Sequence, residues 1–194
     1  HRYGRRQRQM CIRDSYITYI LIGLCTFFFI LQYLSQMNVE IFLNYGFIPN
    51  NFFYSDFSLD SYFPVFSSMF LHGGLAHIAG NMLYLWIFGD NVEDSMGKVR
   101  FTIFYLSCGV IAALAQGLVD PSSNIPMVGA SGAIAGVLGA YLLLYPRANV
   151  KCLFFIIIII QMVRIPAFIV LGFWIFGQTV SYTHLRAHET RIHL

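Results

Sequence analysis

Charge is scarce in this sequence. Only 11% of its residues are Asp, Glu, Lys or Arg, where a soluble domain averages about 25%. That shortage, beside a 57% hydrophobic share of 194 residues, excludes an ordinary soluble fold, because a chain of this length has too little interior to hide so much apolar surface. Cysteine is sparse as well. Cys11, Cys25, Cys108 and Cys152 are scattered without paired spacing, which argues against a disulfide framework or a cysteine metal site. Cys25 and Cys108 fall within apolar runs and read as small apolar residues. The H-E-x-x-H pattern of zinc proteases is missing too. His72 and His77 have four residues between them, and Asp90, Glu93 and Asp94 lie at the far end of the same apolar run. No metal, no cofactor and no nucleic-acid partner is expected.

What the chain does have is long apolar runs. A helix needs about 20 mostly apolar residues to cross a bilayer. Such runs cover roughly 16–34, 63–89, 99–119, 127–145 and 152–177. The last is interrupted by Arg164 and Pro166. Its first half reads as an interfacial stretch, with the true span starting near Arg164, since proline suits a helix start better than a helix interior. The chain is therefore expected to be an all-α, polytopic membrane helix bundle.

Positive charge sets the orientation. With the N-terminus in the cytoplasm, the inside segments carry Lys98, Arg100, Arg147, Lys151 and Arg164, besides the N-terminal arginines. The outside segments, 35–62 and 120–126, hold no Lys or Arg. Ser131 then lies about four residues into the fourth span from its outer end, roughly 6 Å deep. The outside segment 35–62 is aromatic-rich. It reads either as a headgroup belt or as a loop partly sunk beside the bundle.

The two ends differ from the middle. Residues 1–15 and 179–194 are polar and basic, and His184, His188 and His193 crowd into the last of these. Both ends read as non-native or disordered tails flanking a transmembrane domain at 16–178.

Polar residues inside an apolar span are costly and so are candidate functional groups. The second span carries His72, His77 and Asn81. His77 and Asn81 share a helix face. His72 lies about 140° away on an ideal helix, and joins them only from the span's end or across Gly73-Gly74. The simpler alternative is that each of the three hydrogen-bonds a neighbouring helix. In "GASGAIAGVLGAY" (129–141), Gly132, Gly136 and Ala140 form a small-residue stripe suited to close helix packing. Ser131 fits that role, and the segment is not the G-x-S-x-G elbow of soluble hydrolases, since residue 133 is alanine. Taken together, however, the residues point to chemistry. Ser131 lies near a helix N-terminus, where free N–H groups favour an oxyanion. Gly129 allows close backbone approach. His77 and Asn81 can donate to the same charge from a similar depth.

The stretch "FLHGGLAHIAGNMLYLWIFGDNVEDSMG" followed by "GASGAIAGVLGAY" resembles the rhomboid family of intramembrane serine proteases, from about Tyr62 to Gly177. The resemblance implies a six-helix bundle, about five of whose helices fall in this chain. It implies a Ser–His dyad that cleaves transmembrane segments of membrane-protein substrates, with Ser131 as nucleophile. His77, Asn81 and Gly129 would serve the oxyanion site, and His72 would support it. The family's general-base histidine lies on a sixth span that has no counterpart before Gln178. The chain is accordingly expected to stop short of it and to be inactive as it stands. A multi-pass protein of a bacterial inner membrane is expected, with its site open to the extracytoplasmic side. The rival readings are a rhomboid-like protein that binds or escorts membrane clients without cutting them, and a small transporter or channel component.

Overall fold

The computed structural model describes residues 15–55, 58–156, 159–174 and 177. The N-terminal tail up to residue 14 and residues 178–194, with His184, His188 and His193, lie outside the described residues. Helix α1 covers Tyr16–Leu34. Three short helices follow in the first loop: α2 (Val39–Tyr45), α3 (Pro49–Tyr54) and α4 (Leu59–Tyr62). Helix α5 (Pro64–Ser67) runs into a 3-10 turn, Ser68–Phe70. Then come α6 (Leu75–Met96), α7 (Lys98–Val119) and α8 (Ser131–Leu144). Strands β1 (Asn149–Ile156) and β2 (Ile159–Pro166) form an antiparallel pair, and a final helix, α9, occupies 167–174. The chain divides into two compact units, one ending at Ala140 and the other starting at Tyr141.

The first unit is an all-α membrane helix bundle. Helices α1 and α7 are each long and apolar enough to cross a bilayer, and α8 is a shorter apolar helix. The polarity runs opposite to that of a soluble protein. Thr18, Gln32, His72, Asn81 and Glu93 are buried, whereas Leu24, Phe27, Leu83, Trp86, Ile103 and Ile111 face outward. In hydrocarbon an apolar exterior costs nothing, while polar groups must find partners inside.

Glu93 illustrates the inward pairing. Its carboxylate accepts from the Ile17 N–H at 3.1 Å, the Thr18 N–H at 2.8 Å and the Thr18 hydroxyl at 2.8 Å. It thereby satisfies the open first turn of α1, which has no local side-chain cap. At the same end Gly89 lets α1 come close, since a Cβ there would lie 3.0 Å from Thr18 Cγ2.

The small-residue stripe packs as expected along two of its three positions. A Cβ on Gly132 would meet Ala112, and one on Gly136 would meet Cys108. Ala112 and Cys108 are themselves four apart on α7, so the two stripes form one seam. Replacing Gly136 with valine is expected to cost about 1–3 kcal/mol by overpacking this seam. Gly23 has nothing within 4 Å of its Cβ position, and Gly23→Val should stay within about 0.5 kcal/mol of wild type. Unfolding in mixed micelles measures both.

The first loop packs on the bundle. Phe47 is buried, and its ring lies edge-on to Phe52 at 5.5 Å. Phe47 and Phe53 both approach Gly117 on α7. The aromatic loop is thus seated against the end of α7.

Three expected spans are corrected. The run 63–89 is not one helix. It breaks at Leu71–Gly74, between the 3-10 turn and α6, where Gly73 and Gly74 weaken helical continuation. The run 127–145 becomes helical only at Ser131, so the serine is the first helical residue rather than the fifth. In the second unit, the first half of the run 152–177 is a strand pair rather than helix, and α9 follows it. The strand register pairs Asn149 with Pro166 and Ile156 with Ile159. The run is dominated by Ile, Phe and Val, which favour extended backbone. Helix resumes directly after Pro166, close to the start expected near Arg164.

Candidate active site

The break before α6 decides the site's geometry. Because the backbone is not helical at His72, the 140° offset of an ideal helix no longer applies. The His72 and His77 rings meet edge to face with centroids 5.2 Å apart. His72 and Asn81 are fully buried, and His77 is half-buried. The side-chain amide of Asn81 and both ring nitrogens of His72 have no hydrogen-bond partner among the described residues. Buried polar groups are nearly always paired, so each such group calls for an explanation.

The segment before α8 is fixed by long-range backbone bonds. Phe47 and Met127 exchange both of their backbone hydrogen bonds, at 3.0 and 2.8 Å. Asn50 N–H donates to Ser123 C=O at 3.0 Å, and the Asn50 side chain reaches Asn124 at 2.9 Å. Gly129 N–H donates to Ser68 C=O at 2.9 Å. With that N–H occupied, what Gly129 offers is clearance rather than a donor.

Gly129 has φ +128°, a region L-residues rarely adopt. A Cβ there would stand 2.8 Å from both Cε1 and Nε2 of His77 and 3.7 Å from Nδ2 of Asn81. The glycine two residues before Ser131 therefore lies directly against the histidine–asparagine pair of α6. The first i−4 bond of α8 is Ile134 N–H to Ala130 C=O, at 3.0 Å. The N–H groups of Ser131, Gly132 and Ala133 thus lie at the open, positive end of the helix. Ser131 itself is half-buried, neither sealed in the core nor fully exposed. All five candidate residues, Ser131, His77, Asn81, Gly129 and His72, belong to the first unit.

Gln32 on α1 escaped the sequence reading. It is buried, and its amide grips the backbone of His72 at both ends: His72 N–H donates to Oε1 at 3.1 Å, and Nε2 donates to His72 C=O at 3.3 Å. The signal was available, because a glutamine inside an apolar span is as conspicuous as a histidine.

Residues 60–188 match the family model described as the Rhomboid domain. The chain belongs to the rhomboid family. It is 34% identical over 127 residues to Rhomboid protease GluP of Bacillus subtilis (strain 168), which covers 64% of this chain and 24% of that protein. It is 37% identical over 93 residues to the human Presenilin-associated rhomboid-like protein, mitochondrial, covering 47% of this chain and 24% of the relative. With RHOMBOID-like protein 5 of Arabidopsis thaliana it shares 38% identity over 76 residues, 39% of this chain and 25% of the relative. The chain thus spans about a quarter of the length of these curated relatives. Family and apolar helices together make this rhomboid chain an integral membrane protein.

Proposed function

We propose that this rhomboid domain belongs to an intramembrane serine endopeptidase that hydrolyses peptide bonds in transmembrane segments of membrane proteins. One observation carries the reading. Gly129, next but one to Ser131, leaves no room for a Cβ before His77 and lies in contact range of Asn81, so two stretches far apart in sequence, 77–81 and 129–131, converge on one point.

In this reading Ser131 Oγ attacks the scissile carbonyl, and its proton passes to a base. The carbonyl oxygen becomes an oxyanion, met by the side chains of His77 and Asn81 and by the N–H groups at the start of α8. Each such donor contributes about 10²–10³ in kcat when it is preorganised. Asn81 is suited to the task because its amide has no protein partner among the described residues to give up. The carbon–nitrogen bond then breaks, the amine leaves with a proton, and water hydrolyses the acyl-serine. The resemblance assigns the base to a histidine on a further helix; residues 178–194 lie outside the described residues. His72 supports His77 from behind.

The lysine and arginine distribution supports a cytoplasmic N-terminus and a site near the extracytoplasmic face. A bacterial inner membrane is the proposed location, with membrane-protein segments as substrates and the bilayer as surroundings. The test is labelling by a fluorophosphonate of the protein expressed from its complete gene. The expected result is a phosphonyl adduct on Ser131, mapped by mass spectrometry. Quantitative recovery of unlabelled Ser131 from folded protein rejects the proposal.

A further inference from the structure

Gln32 is a glutamine on a membrane helix, fully enclosed and aimed neither at lipid nor at another side chain. Both of its hydrogen bonds to the protein go to the backbone of one residue 40 positions away, across the two peptide groups that flank its Cα. The pairing copies one rung of a sheet: one donor and one acceptor of an amide meet the acceptor and donor of the His72 backbone. This occurs where regular structure is missing, in the break between the 3-10 turn and α6. Neither backbone group of His72 has a helical partner there, and each would be costly to leave unpaired. The residue so held carries the ring that packs edge to face on His77, and His77 in turn borders the Gly129 clearance.

We infer that Gln32 is a positioning residue for the oxyanion site, fixing the His77 ring plane through the backbone of His72. The inference rests on the function proposed above, but its physical content does not require activity. Gln32→Met keeps nearly the same length and volume and removes both hydrogen bonds. His72 is then free to turn, and the ring packed on it turns too. Small displacements of a positioned group cost large factors in rate while leaving substrate binding largely alone.

The test uses the protein from its complete gene, with histidine rings labelled with nitrogen-15, in micelles. In Gln32→Met the ring resonances of both His72 and His77 should move. With a transmembrane substrate, kcat should fall roughly tenfold or more at little-changed KM. Thr18→Val weakens the Glu93 contact at the opposite end of α1 and should leave the His77 resonances in place. If Gln32→Met does not fold, Gln32→Glu retains the acceptor for His72 N–H and should give a smaller shift of the same signals. A folded Gln32 variant with His77 resonances at their wild-type positions overturns the inference. So does a Thr18→Val variant that moves them equally, since the effect is then general loosening of α1. If the wild-type protein cleaves nothing, the proposed function fails alone, and the His77 resonances still decide on Gln32.

Discussion

Replacing Ser131 with alanine is expected to reduce cleavage of a transmembrane substrate by about ten-thousandfold or more, in protein expressed from the complete gene. The substitution removes the proposed nucleophile and nothing structural. Ser131 occupies the first position of α8, where alanine is tolerated. Its neighbours Gly132 and Gly136 make the helix seam without it. Unfolding of the variant should therefore match wild type. The outcome separates the enzyme from its rivals. A protein that only binds or escorts clients retains its clients in Ser131→Ala, and a transport component keeps its flux. Loss of cleavage with a retained fold fits the nucleophile alone. Wild-type-like cleavage by Ser131→Ala would remove Ser131 from the mechanism.

The second large effect is expected at Gly129. Alanine there faces two separate penalties. Its backbone must hold φ +128°, which costs a residue with a side chain about 1–3 kcal/mol. Its methyl carbon would also stand 2.8 Å from the His77 ring, closer than packed atoms allow, so the ring or the loop must move. Movement of either displaces the proposed oxyanion donors from Ser131, and kcat should fall roughly a hundredfold. Gly139 is the matched control. It lies within α8 with nothing within 4 Å of its Cβ position, and Gly139→Ala should gain about 0.5–1 kcal/mol from reduced backbone freedom. Equal behaviour of the two variants in rate and unfolding would deny Gly129 any special place.

Hydropathy alone located α1 and α7 within a residue at each end, because long apolar runs leave a helix few alternatives. The choice of Ser131, His77 and Asn81 from polar residues in apolar runs rests on the cost of burying them, and Gly129 is where the serine and the α6 pair meet. What periodicity could not carry are partners far apart in sequence. Ser131 begins its helix, rather than lying inside it, because Met127 is paired to Phe47 and Gly129 to Ser68. The break at His72 is supported by Gln32, and the open end of α1 by Glu93. None of these pairs leaves a trace in a window of neighbouring residues. The hairpin at 149–166 shows the opposite failure. An unbroken run of isoleucine and phenylalanine satisfies a hydropathy window as well as a helix does, and side-chain preference for extended backbone decides otherwise.

The most direct measurement is mass spectrometry of a single-span membrane protein co-reconstituted in liposomes with the protein from its complete gene. New amino and carboxyl termini within or at the edge of the substrate's span, appearing with wild type and missing with Ser131→Ala, are the predicted result. A substrate that stays intact while remaining bound to the rhomboid domain would contradict it.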